Sequence, residues 1–188
     1  PTVACLNPQR PDCSFPFKGL CAAGVAFMVV VGLRRHLRER GWFEDRPEPD
    51  VRTLLDIVAV ATVADMVPLE HTNRILVAAG LKEMTKGRRV GLGALIGVAK
   101  VDPQRVSASD LGFRIGPRIN ARGRLSHAGA AVELMLTGDP DLASRLSESL
   151  DSANRERREI QDQAVEEAIA CVDQQDLSAI ASLVLANP

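Results

Sequence analysis

The stretch Leu55-Asp56-Ile57-Val58-Ala59-Val60-Ala61-Thr62-Val63-Ala64-Asp65-Met66-Val67-Pro68-Leu69 decides how the fold is read. With Val51 just before it, Leu54, Leu55, Val58 and Thr62 recur at helical spacing and lay one apolar face along a helix. Asp50 has the short polar side chain that caps such a start. Pro68 lacks a backbone donor, so the helix should end before it. The stretch therefore delivers a carboxylate, Asp65, to the end of a tightly apolar helix. A metal site needs an acidic oxygen held rigidly at the edge of a core, and Asp65 has that placement. A turn aspartate hydrogen-bonded to its own backbone would occupy the same position. Asp56, mid-helix, reads as a structural or ion-paired residue.

Upstream, Thr2–Leu6 is a short apolar run ending in Asn7-Pro8 and predicts a strand and a turn. Residues 9–18 hold Pro11 and Pro16 and read as a loop. Residues 20–40 predict a helix stopped by Gly41, with Arg34, Arg35, Arg38 and Arg40 suited to the negative end of its dipole. Residues 44–50 form a polar linker.

Downstream, Thr72 is placed to cap a helix running to about Met84, and a short helix is expected over Leu92–Ala99. Ser107 and Asp110 have the spacing of a reciprocal cap. Pro117 should break or end the helix they start. Residues 128–136 are apolar and helical. Pro140 suits a first helical turn, and no Gly or Pro follows until after Gln174, giving about 50 Å of helix. Leu142, Leu146, Leu150 and Ala153 form a narrow stripe on it, as on a helix that bridges two bodies. Ala179–Ala186 is a second β-rich run. The expected fold class is α/β but predominantly helical: a helical body over 1–138, a long connector over 139–178 and a new element over 179–188.

The chain has 188 residues, 46% hydrophobic and 25% charged, a globular balance that argues against disorder. Aromatic residues are 3%, with no Tyr and one Trp, which speaks against a base-stacking platform of several rings. Cys5, Cys13, Cys21 and Cys171 form no close pair, so they do not read as a zinc site. Reduced thiols and a cytoplasmic location are expected. The longest apolar run, 20–33, is too short to span a bilayer, so no membrane association is expected. No signal-peptide pattern opens the chain, and its two ends read as those of an internal piece.

A net charge of −1 hides an asymmetry. Residues 82–124 carry ten basic and three acidic side chains, while 125–188 carry four and twelve. The basic block is the footprint expected for a polyanion partner. Within and beside it, Gly112-Phe113-Arg114-Ile115-Gly116-Pro117-Arg118-Ile119-Asn120-Ala121-Arg122-Gly123-Arg124-Leu125-Ser126-His127 has four arginines and no acid. Arginine forks suit phosphate, glycines let backbone approach a ligand, and Asn120 offers an amide. The alternative is a solvated basic turn. His127 could touch phosphate, cap or pack. The glycines of 91–97 do not match a dinucleotide loop and read as flexibility at a helix start. The run 155–159 reads as a solvated helix face.

Residues 56–69, followed by Asn73-Arg74, resemble the fourth motif of the RecJ branch of the DHH phosphoesterase superfamily. Gly112–His127 is similar to that branch's Arg-rich motif. Val3–Asn7, Pro16-Phe17-Lys18-Gly19-Leu20 and Gly24-Val25-Ala26-Phe27 resemble the stretch after the DHH triplet, and Asn154-Arg155-Glu156-Arg157 the start of the long connector. The resemblance implies the C-terminal part of a DHH domain over 1–138, the connector over 139–178 and the first strand of a DHHA1-like domain over 179–188. It implies Mn2+ or Mg2+ as cofactor and 5′→3′ hydrolysis of single-stranded DNA, in DNA repair and recombination. A single-strand-binding protein and a helicase are implied partners. Asp65 maps to a catalytic metal ligand. Arg118, Asn120 and Arg124 map to the DNA path, and Arg114 and His127 are assigned to it with them. At Arg122 many relatives have a small residue, and no role is carried onto it. The family's other metal ligands, its Asp-His-His triplet included, find no match in this chain, which implies that the chain alone is inactive. A DHH phosphodiesterase for short oligonucleotides or cyclic dinucleotides, and a metal-free nucleic-acid-binding relative, are the competing readings.

Overall fold

A computed structural model describes residues 4–125, 129–173, 182, 184 and 185, with the backbone alone for 122–125. Helices account for nearly all the order in it. α1 (Ala22–Glu39) is followed by a 3₁₀ turn (Val51–Leu54) leading into α2 (Leu55–Ala64), then α3 (His71–Met84) and α4 (Val90–Val98). A continuous run follows: α5 (Ala108–Asp110), a π-helical turn (Leu111–Ile115) and α6 (Gly116–Leu125). α7 (Gly129–Leu136) and α8 (Pro140–Asp173) complete the body. Among the described residues no helix is long and apolar enough to cross a membrane.

The helix ends follow local chemistry. Cys21 Sγ accepts from the Gly24 amide at the start of α1. Beyond α1 the chain turns through Gly41 at φ +70°, in the left-handed region that favours glycine. Arg34 and Arg38 both pair with Glu48, which holds the linker back against the end of α1. Asp50 caps the 3₁₀ turn, accepting from the Arg52 amide. The Arg52 guanidinium, and then that amide, pull the Asp50 carboxyl down to about 2. Ser107 and Asp110 form both halves of the reciprocal cap, at 3.2 and 3.0 Å.

Several expectations need correction. Thr72 does not cap α3: the helix begins at His71, two residues before a Thr72 cap would start it, and its N-cap Glu70 makes no side-chain cap. Pro117 neither breaks nor ends a helix, because the wider π turn just before it carries the chain on into α6. The α/β expectation resolves as helix alone among the described residues. Of the expected strand at Thr2–Leu6, Ala4, Cys5 and Leu6 are irregular and the rest lies outside the described residues. Of Ala179–Ala186, only Ser182, Val184 and Leu185 are described, and none is in a strand. A strand needs a partner to satisfy its backbone, and none is present among the described residues.

The main core joins Ala59 and Val60 of α2, Val77 of α3, Leu92, Leu95 and Ile96 of α4, Leu111 and Ile115 of the π turn, Leu134 of α7 and Leu150 of α8. A smaller cluster, Leu55, Val58 and Leu76, takes Leu20, Phe27 and Met28 from the α1 side. Two glycines permit the closest approaches. A Cβ on Gly80 would lie 2.2 Å from the Leu55 carbonyl oxygen, and one on Gly91 only 1.7 Å from that of Leu134. Gly91 is therefore a point of contact between α4 and α7 rather than flexibility at a helix start.

Asp56 has the ion-paired role expected of it. Arg89 Nε and Nη2 donate to its carboxylate at 2.8 and 3.2 Å, Nη1 to the Met135 carbonyl at 3.0 Å and Nη2 to that of Thr53 at 3.4 Å. One guanidinium thus joins the starts of α2 and α4 to the end of α7. α8 runs 34 residues, about 51 Å. Ala143, Ser147, Leu150, Ala153 and Asn154 are buried on it, whereas Ile160, Val165 and Ile169 farther along are exposed.

Candidate functional site

Asp65 is the C-cap residue of α2, its amide donating to the Ala61 carbonyl at 2.9 Å. Its carboxylate is exposed and makes no hydrogen bond or ion pair among the described residues. A self-capping turn aspartate would accept from its own backbone, and Asp65 does not. The turn after it is held from both sides. Met66 takes φ +56° and projects into solvent, 90% exposed. Buried Asn73 donates its amide to the Gly19 carbonyl at 2.7 Å and the Pro68 carbonyl at 2.9 Å. That bond pair ties the turn to the loop before α1, a positioning role that the sequence signals only through Asn73's place after the motif.

The π turn and α6 come against the end of α2 through glycine. A Cβ on Gly112 would lie 3.4 Å from Val63 Cγ1, and one on Gly116 would lie 3.3 Å from Ala64 Cβ. Ala108, Gly112, Gly116 and Asn120 all line the same cavity, at intervals of four residues. In a regular α-helix four residues overshoot one turn by about 40°, so such a row would drift off the face. The wider π turn absorbs the drift and keeps Asn120 beside Ala64.

Two cavities result, sharing Ala64 and Asn120. The one containing Asp65 has about 490 Å³ and is bounded by Cys21–Ala23 at the start of α1, by Val60 and Ala61 of α2 and by Ile119. The amide-rich, positive end of the 18-residue α1 opens into it. The other, about 470 Å³, lies among Val63, Met66, Leu69, Phe113, Pro117 and Arg157.

The arginines separate into different jobs. Arg114 is exposed, loosely paired with Asp110 at 3.6 Å, and donates Nη1 to the Lys100 carbonyl at 3.4 Å. Asp110 itself sits below the usual carboxylate range, chiefly because the Ser107 hydroxyl donates to it. Arg118, assigned to the DNA path by its motif, instead donates Nε to Asp151 of α8 at 2.8 Å and Nη1 to the Arg114 carbonyl at 2.6 Å. With the pair only 12% and 14% exposed, Arg118 fastens α6 to α8. The Arg124 side chain and His127 lie outside the described residues. Other cations of the basic block are also engaged: Arg89 with Asp56, and Lys86 and Arg88 with Glu83. Lys82, Lys100 and Arg105 have no ion pair among the described residues.

The 155–159 run is not wholly a solvated face. Arg157 is half-buried, lines the second cavity and keeps its Nε closed to solvent without an acceptor. Its role depends on a partner helix, and no local signal could have found it.

Among the described residues, no three His, Cys, Asp or Glu side chains come together to hold a metal. Asp65 is a hard oxygen donor of the kind Mn2+ and Mg2+ take, but one carboxylate is not a site. These residues do not make a complete metal centre.

No protein-family model matches the chain. Among curated proteins, the single-stranded-DNA-specific exonuclease RecJ of Dickeya dadantii is 46% identical over 178 residues, covering 93% of this chain and 31% of that protein. RecJ of Escherichia coli is 45% identical over 161 residues, and RecJ of Bacillus subtilis 35% over 181. Among solved structures, RecJ of Thermus thermophilus in complex with Mn2+ superposes with a TM-score of 0.70 at 33% identity, over 84% of this chain and 22% of that one. Another, exonuclease RecJ bound to manganese, gives 0.70 at 32% identity, over 84% of this chain and 38% of that one. The chain is thus RecJ-like, in agreement with the resemblance its motifs carry. It spans about 30% of the length of the first curated relatives it matches.

Proposed function

We propose that this chain acts as part of a metal-dependent, single-stranded-DNA-specific exonuclease that hydrolyses phosphodiester bonds 5′→3′ in DNA repair and recombination. The supporting observation is 35–46% identity to RecJ exonucleases along most of the chain. Single-stranded DNA is the substrate, a single-strand-binding protein and a helicase are working partners, and the cytoplasm is the location. Residues 1–138 are the C-terminal part of a DHH domain, 139–178 its connector and 179–188 the beginning of a DHHA1-like domain.

Asp65 contributes one ligand to an Mn2+ or Mg2+ centre whose other ligands come from outside the described residues. With one carboxylate the chain alone does not hydrolyse DNA. The positive end of α1 favours a phosphate near Asp65, and Asn120 stands at the edge of the same cavity. Arg114, exposed on another face of the π turn, is assigned to the strand by its motif. Arg124 and His127 are assigned to the strand by their motif alone. Arg118 holds α6 in place through Asp151.

The test is Asp65→Asn in a RecJ-length protein carrying this segment. Hydrolysis of a labelled single strand at saturating Mn2+ should fall by more than about 100-fold, since even outer partners of a metal ligand are worth 10–100-fold. Affinity for the same strand in EDTA should hold within about twofold, because the phosphate contacts do not need that carboxylate. Hydrolysis near the parental rate would make Asp65 a turn residue only.

A further inference from the structure

The cavity beside Asp65's own has a composition that phosphate does not explain. Its walls are mostly apolar, from Val63, Leu69 and Pro117, with Ser109, Asn120 and Arg157 as the polar lining. Phe113 stands at its edge 75% exposed, with no aromatic partner among the described residues. Arg157 spends its two Nη groups on Gln161 and Asn154, at 3.2 and 3.4 Å, but its Nε is shut off from water with no acceptor. A buried donor left unpaired is costly, and it keeps a charged guanidinium in a mostly apolar wall.

We propose that this cavity takes one unstacked base of a single strand. The base lies against the Phe113 ring, its edge meets Asn120, and the Arg157 guanidinium stands in the wall beside it. The inference rests on the single-strand reading above and adds a base-binding subsite to it. Every base has a flat face for the ring and ring nitrogens or carbonyls that accept hydrogen bonds. Asn120 both donates and accepts, so it can meet any base edge without selecting one. A phosphate would have to shed water against apolar walls here. The volume, about 470 Å³, lies within the range of small-molecule sites, roughly 300–1,000 Å³. Because Ala64 and Asn120 border both cavities, a nucleotide whose phosphate sits at Asp65 can lodge its base next door. The low aromatic content excludes an extended stacking platform, and this subsite uses a single ring.

The experiment uses a RecJ-length protein carrying this segment, in EDTA so that the strand is not cut. Anisotropy titrations compare an oligothymidylate with an abasic strand of equal length and charge. Phe113→Ala should weaken oligothymidylate binding by about fivefold or more, the lower range for one stacked base, and leave abasic binding unchanged. Arg157→Met should do the same. Arg158→Met, which removes a neighbouring exposed charge, should affect both strands alike. Phe113 is largely in water, so its variant keeps the fold, which circular dichroism checks. If Phe113→Ala binds both strands as the parent does, or Arg157→Met weakens both equally, the base subsite is overturned while the single-strand reading stands. If the parent binds neither strand, that reading fails and takes the inference with it.

Discussion

Replacing Arg89 with Met removes the one guanidinium that joins the starts of α2 and α4 to the end of α7. The Asp56 carboxylate is 6% exposed and the Arg89 side chain 20%, so the charge left behind would be buried. The carbonyls of Thr53 and Met135 would lose a donor as well. Removing one partner of a buried pair costs about 3–5 kcal/mol. In a chain of this size 1 kcal/mol moves the melting temperature by about 2–4 °C. Thermal unfolding followed by far-UV circular dichroism should therefore show a fall of roughly 6–20 °C. The double variant Asp56→Leu/Arg89→Met removes the stranded carboxylate and should regain most of the loss. A single variant melting within about 2 °C of the parent would refute the reasoning, since the pair would then contribute almost nothing. A double variant no better than the single would show that the carbonyl contacts, not the buried charge, carry the cost.

Gly91→Ala should lower the urea midpoint by an amount equivalent to about 1–3 kcal/mol or more, because its Cβ would strike the Leu134 carbonyl. Gly93→Ala, with open space around its Cβ, should be neutral or stabilising by up to about 1 kcal/mol; equal midpoints for the two would contradict the packing described. Arg114→Met should reduce the log–log salt slope of single-strand binding by about 0.7, one phosphate contact. Arg118→Met should leave that slope alone and lower the melting temperature instead; a matching loss of slope would return Arg118 to the DNA path.

Much of the fold can be read from local pattern. The helices at 22–39, 55–64 and 140–173 announce themselves through apolar spacing and flanking Gly, Asp and Pro. The Ser107–Asp110 cap involves residues three apart and is equally visible. What stays hidden depends on distant partners. Pro117 reads as a breaker until Gly112 and Gly116 are seen packed on α2, where a π turn carries the helix through. Summing charge over 82–124 finds a basic block but not the acids that reach into it, Asp56 and Asp151. For that reason the Arg118–Asp151 pair is not legible in the sequence, and the half-burial of Arg157 depends likewise on a distant helix. Asp65's place at the end of α2 is legible because one helix sets it, whereas Asn120 rides on a helix that Pro117 hides, and the cavity between them exists only once two helices meet.

The π turn at Leu111–Ile115 also changes what the gene can lose. Deleting one residue from an ordinary helix rotates everything beyond the cut by about 100° and would swing a side chain such as Asn120 off its face. Within this turn the helix already carries one residue more than an α-helical path requires. A deletion there closes the wide loop into a regular one and leaves the downstream faces nearly where they were. The same deletion two or three residues later would turn Asn120 away from Ala64. Tolerance to length change is therefore concentrated in one turn, immediately before the segment whose orientation matters most.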